Sequence, residues 1–331
     1  MPARNLAAIA RLGHPDPIDL ADRLAAAVTN DRDSQAVAHI TLLSPVLGPP
    51  GLNHLRDALD ALVVALPPVA RNDYHAQAHR RAIDTARLEI ADLTNDVDTY
   101  VSLQSEHKHI PAIAAKIADR LLKAGRATQA LAALDAIAPD WPRLPLEWQL
   151  ARAEALDALE RRDEAQAFRL AWFHQTLNPV HLRAYLKRLP DFDDIEAEDA
   201  AIAFAQAYPD VHAALHFLLN WPALPAVAQL VLARHAEIDG NFYEGLTTAA
   251  DKLEAKYPLA ATLVLRAMID FALDKARSAR YPHAARHLAY CAELAARIDS
   301  FGAIEPHAAY LARLKSTHGR KFGFWSAFIS Q

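Results

Sequence analysis

Alanine recurs along the whole chain at helical spacing, as Ala-Ala, Ala-x-x-x-Ala and Leu-x-x-Ala, and makes up 71 of the 331 residues. Only 9 residues are glycine, and runs of β-branched residues are almost absent. Alanine loses no side-chain entropy in a helix and lets neighbouring backbones approach closely. The chain is therefore expected to fold as helix after helix, packed through small side chains. Hydrophobic residues at 52% and charged residues at 23% supply a core and exclude general disorder.

Periodicity predicts helices over 17–28, 34–43, 51–66, 73–93, 96–104, 111–124, 126–138, 145–159 and 163–177. It continues with 179–189, 196–208, 211–221, 223–238, 243–256, 258–278, 281–299 and 306–318. Pro17, Pro50, Pro111, Pro145, Pro179, Pro258, Pro282 and Pro306 stand at predicted starts, where the missing N–H costs nothing. The best strand candidate, 61–66, completes an amphipathic helical pattern instead.

A shift of 37 residues superposes two segments. Ile113 falls on Leu150, Ala114 on Ala151, Ala118 on Ala155, Leu122 on Leu159, Gln129 on Gln166 and Leu131 on Phe168. Each copy reads as a helix, a tight turn (Ala124-Gly125-Arg126; Arg161-Arg162-Asp163) and a second helix. This pairing resembles a degenerate tetratricopeptide repeat. Helices 258–278 and 281–299 form a third pair of the same texture. One such pair cannot bury its apolar face alone, so neighbours must stack. The expectation is an all-α, right-handed α-solenoid of antiparallel pairs. Soft breaks fall at Pro67-Pro68, 105–110 and 190–198; the last two bound the segments 1–104, 105–189 and 190–331, read as one continuous array.

Three stretches carry a family resemblance: 181–194 (HLRAYLKRLPDFDD), 283–296 (HAARHLAYCAELAA) and 318–325 (HGRKFGFW). They resemble an uncharacterised proteobacterial family of helical-repeat proteins, a domain of unknown function, over almost the whole chain. The resemblance implies a usual member about a hundred residues longer at its N-terminus. The pattern Leu311-x-x-Leu314-Lys315-x-x-His318-x-x-Lys321 is similar to the helical tails of bacterial SWIM zinc-finger proteins. The cysteines of the SWIM metal motif are absent, so the resemblance implies a scaffold and no catalytic residues.

Net charge is −5 with a pI of about 6.3, which speaks against a general nucleic-acid binder. Cys291 is the single cysteine, so neither an internal disulfide nor a thiolate zinc cluster forms. A cytoplasmic location is expected. The first ten residues lack an apolar signal region, and no apolar run is long enough to span a membrane.

Three His-x3-His pairs occur, His75/His79, His212/His216 and His283/His287. That spacing puts two rings on one helix face. The last pair follows a stripe of Arg266, Asp270, Asp274 and Arg277 on the preceding helix. If the two helices pair, carboxylates and imidazoles face each other. Arg266, Asp270, Asp274, Arg277, Arg280, His283, Arg286, His287 and Tyr290 then form a polar binding patch, with His283, His287, Asp270 and Asp274 as candidate metal ligands. The plainer reading is an i,i+4 ion-pair ladder, Arg266–Asp270 and Asp270–Asp274–Arg277, solvating an exposed face.

The acidic run Asp191, Asp193, Asp194, Glu196, Glu198 and Asp199 is read as favouring a helix N-terminus, with a site for a cation or a basic partner as the alternative. In the tail, Arg320 and Lys321 with Phe324 and Trp325 form either a nucleic-acid patch or an aromatic cap on the last pair. Cys291 is read as a buried, unreactive thiol. No nucleophile elbow and no phosphate loop is present. The leading expectation is a non-enzymatic scaffold for an unidentified protein or peptide, with no cofactor and no membrane. The alternatives are a metal-dependent protein using His283/His287 with Asp270/Asp274, and a nucleic-acid-associated protein using the tail.

Overall fold

The computed structural model describes residues 15–30, 35–67, 73–137 and 144–329. Among them are seventeen α-helices and no strand. The helices are α1 (Pro17–Asn30), α2 (Gln35–Ala65), α3 (Tyr74–Leu93), α4 (Val97–Leu103), α5 (Pro111–Lys123), α6 (Ala127–Asp135), α7 (Leu146–Ala158), α8 (Arg162–Thr176) and α9 (Pro179–Leu186). They continue with α10 (Asp193–Gln206), α11 (Val211–Asn220), α12 (Leu224–Arg234), α13 (Tyr243–Leu253), α14 (Pro258–Asp274), α15 (Tyr281–Ala295), α16 (His307–His318) and α17 (Phe322–Ile329). The initial segment 1–14 and Pro68 lie outside the described residues. None of the helices is long and apolar enough to cross a membrane.

The chain divides into two compact units, Met1–Ala165 and Gln166–Gln331. In the first, α1, α2 and α3 pack on one another. Their core is built from Ala21, Leu24, Ile40, Leu55, Leu59, Ile83 and their neighbours. The helices expected at 34–43 and 51–66 are joined in α2, but the backbone breaks inside it at Gly48 (φ 56°), next to Pro49 and Pro50. α5 packs against both α6 and α7. Arg120 joins α5 to α3 by a two-pronged bond to Asp92, at 2.9 and 2.8 Å. That bond holds the Asp92 carboxyl below its ordinary range. The second copy of the 37-residue repeat is shared between the units, because the division falls inside α8.

The second unit has one continuous core running from Phe173 to Phe324. Helices pack in succession there, α10 on α11, α11 on α12, α13 on α14 and α14 on α15, and the last helix, α17, packs on α15. α14 is its centre. Eleven of its seventeen residues are buried, and only Arg266 among them is charged. Gly240 lets the turn after α12 touch α14, since a Cβ there would stand 2.0 Å from the Ala267 carbonyl oxygen. α17, unassigned by periodicity, seats Phe324 fully in the core.

Candidate functional site

The stripe on α14 is not a solvated ladder. Arg266 is only 5% exposed and forms no ion pair with Asp270. Its guanidinium lies 4.3 Å from the Tyr310 ring centre and 5.9 Å from that of Phe301. Nη1 donates to the Glu305 carbonyl oxygen at 2.6 Å, while Nε and Nη2 are buried with no hydrogen-bond partner. Such unmet donors cost about 1–3 kcal/mol each, and cation–π contact recovers part of that. The ladder fails because this part of α14 faces the core and α16. The helix also ends earlier than expected, at Asp274. Arg277 therefore leaves the stripe and stands exposed beyond the helix.

Asp270 instead serves α16. It accepts from the Tyr310 hydroxyl at 2.9 Å and lies 3.6 Å from Arg313. Burial raises its carboxyl above the ordinary value of 3.8, and the Tyr310 bond opposes that rise. Arg313 Nε also donates to the Glu305 carboxylate at 3.1 Å. Asp274 pairs with His318 at 3.1 Å. Arg266, Asp270, Asp274, Glu305, Tyr310 and Arg313 line a cleft of about 480 Å³ between α14, α16 and the turn after α12.

The imidazoles go elsewhere. His287 Nε2 lies 3.1 Å from the Tyr243 hydroxyl on α13, and burial lowers His287 to about 4. His283 Nδ1 accepts from Arg286 at 2.6 Å. Arg280 lies over the Phe271 and Tyr243 rings. Tyr290 donates to Glu254, which pushes its hydroxyl up to about 12. The expected convergence of Asp270 and Asp274 with His283 and His287 is therefore not formed: the carboxylates face α16 and the rings face α13. Among the described residues no three of His, Cys, Asp and Glu are grouped so as to hold a metal ion.

The other motifs find structural partners too. His212 Nε2 accepts from the Asp239 backbone N–H at 2.9 Å and stacks on Phe242 with ring centres 4.1 Å apart. His216 meets Asn220. His79 Nε2 is buried and without a partner. In the acidic run, Asp193, Asp194 and Glu196 occupy the first turn of α10, yet no side chain caps it. Glu198 accepts from Trp221 Nε1 at 2.7 Å. In the tail, Phe324 packs edge-on against Tyr281 and Trp325, and Trp325 Nε1 donates to the His318 carbonyl. Lys321 Nζ reaches the Tyr281 hydroxyl at 3.4 Å, leaving Arg320 exposed. These aromatics close the end of the α15 layer.

A larger groove, about 840 Å³, runs between α11 and α13. Leu215, Leu219 and Phe242 give it apolar walls, and Asn220, Asn241 and Thr248 give it amide and hydroxyl groups. Phe242 is 55% exposed although His212 holds it in place.

The chain matches, over residues 2–327, the model of a family of unknown function (DUF6880). It belongs to that family. No curated protein and no solved structure matches it. What the DUF6880 chain does therefore rests on its own residues. Glu305 and Tyr310 help complete the α14 cleft, and neither stood out in the sequence. Tyr310 and Leu314 mark the apolar face of α16, but no spacing rule says which helix that face meets.

Proposed function

We propose that this protein is a non-enzymatic helical scaffold that holds an extended peptide of a protein partner in the α11/α13 groove. The finer architecture goes with it: stacked antiparallel pairs with a tetratricopeptide-like middle, working in the cytoplasm. The observation that carries the reading is the groove itself. It presents an exposed aromatic ring fixed by its own stacking partner, beside side-chain amides that suit peptide N–H and C=O groups. A fixed aromatic anchor loses little entropy on binding. Asp210, Glu244 and Arg280 line the groove and give it both signs of charge. The pairing of Asp270 and Asp274 with α16 side chains, away from the rings of α15, gives a metal-dependent reaction no support.

The test is a peptide array probed with the full chain, followed by titration of any hit in solution. Phe242→Ala abolishes or strongly weakens binding while the melting temperature stays near that of the parent, because the ring is more than half exposed. Binding that survives Phe242→Ala, or an array with no hit, overturns the assignment.

A further inference from the structure

The α14 cleft holds an unused fork. Arg266 is 95% withdrawn from solvent, and one of its three guanidinium nitrogens, Nη1, is spoken for by the Glu305 carbonyl. Nε and Nη2 share one edge of the planar group, and both are buried without an acceptor. Two parallel N–H groups on that edge match the two oxygens of a carboxylate. The carboxylates nearby are engaged: Asp270 by Tyr310 and Arg313, Glu305 by Arg313, Asp274 by His318. A further polar atom of this corner, His307 Nδ1, is likewise buried and unpartnered. Burial and the field of Arg266 both keep that ring neutral.

We propose that the cleft between α14, α16 and the turn after α12 binds a ligand carboxylate on the Nε–Nη2 edge of Arg266. The lining limits the ligand's charge. Asp239, Asp270, Asp274 and Glu305 outnumber Arg266, Lys275 and Arg313, so the lining opposes a phosphate dianion more strongly than a monoanion, and the two N–H groups of the fork carry the recognition of a carboxylate. An ammonium on the same ligand has Asp239 and Asp274 within the lining. Entry passes the connection between α15 and α16, whose Phe301 ring and Glu305 carbonyl cover the guanidinium. This stretch is irregular from residue 296 to 306, so its opening breaks no helix. The inference stands apart from the α11/α13 groove, which shares no lining residue with this cleft.

The experiment follows arginine Nε–H signals by NMR in the full chain, with acetate, glycine, phosphate and chloride added at matched ionic strength. The expected result is one solvent-protected signal that shifts saturably with acetate or glycine. Arg266→Lys, which keeps the charge but removes the fork, lacks that signal. Should that variant fail to fold, Phe301→Leu alters the ring current over Arg266 and assigns the same signal in folded protein. Equal shifts with acetate and glycine assign recognition to the carboxylate alone. A larger shift with glycine adds a contact to the ammonium, as in an amino acid. An unresponsive protected signal, or the same shift from chloride or phosphate, overturns the proposal.

Discussion

Cys291 shows how one side chain's surroundings decide its chemistry. It is fully buried on α15, and its Sγ stands 4.0 Å from the Thr262 carbonyl oxygen on α14. Burial pushes the thiol up to about 12, against the pull of Arg266. The thiolate is the reactive form, so the native thiol is inert near neutral pH. Iodoacetamide at about pH 8 is therefore expected to leave folded protein unlabelled and to label it stoichiometrically in denaturant. Mass spectrometry of the intact chain reads the outcome, and rapid labelling of folded protein would contradict this burial. The burial of Cys291 was legible beforehand, since a lone cysteine between Tyr290 and Ala292 on an alanine-rich helix reads as core. The role of Arg266 was not. An arginine one turn from an aspartate reads as an ion pair, and only the placement of Tyr310 and Phe301 shows that aromatic rings took the aspartate's place.

Among the elements, four helices stop by the same device. Asn95, Gly125, Glu160 and Ala276 adopt positive φ at the ends of α3, α5, α7 and α14. In each case the next N–H turns back to a carbonyl in the final turn: Asp96 to Ala91, Arg126 to Leu121, Arg161 to Leu156 and Arg277 to Ala272. This satisfies carbonyls that a helix end leaves open. Gly125 announces the stop, because glycine enters the left-handed region without penalty. Glu160 and Ala276 do not, and because alanine at 276 continues the helical period, the pattern extends to 278 although the helix ends at Asp274. Ala276 at φ 49° costs about 1–2 kcal/mol of strain. Ala276→Gly removes it but adds about 0.5–1 kcal/mol of chain entropy in the unfolded state. The net expectation is stabilisation of about 0.5–1 kcal/mol, seen as a higher urea midpoint at unchanged slope. A lower midpoint would show that the turn is not strained. At this scale the helices themselves were readable from period and proline. Their exact ends were not, where a left-handed residue other than glycine closes them.

For the molecule as a whole, the buried histidines set the response to acid. His287 falls from an ordinary 6.5 to about 4 through burial, with His283 and Arg286 adding repulsion. His181, His212 and His307 are lowered as well, each chiefly by burial. Between the folded and unfolded values the unfolded chain binds the proton and the folded chain does not, so stability rises with pH across that window. The contribution is complete above about pH 6.5 and is lost as pH falls toward about 4. Asp270 works in the opposite sense, because its raised carboxyl keeps a proton longer in the folded state. Asp92, held low by Arg120, adds a loss at still lower pH, in the carboxylate range. Four rings therefore act together before the carboxylates do, and the melting temperature is expected to fall between about pH 7 and about pH 4.5. His287→Gln isolates the largest share, since glutamine can still meet the Tyr243 hydroxyl without titrating. With the partial exposure of His287 discounted, the variant flattens the fall by about 1–2 kcal/mol. Parallel denaturation series at the two ends of that range read the difference. An identical slope in parent and variant would mean that the His287 ring is not held neutral, and its contact with Tyr243 would need to be redrawn.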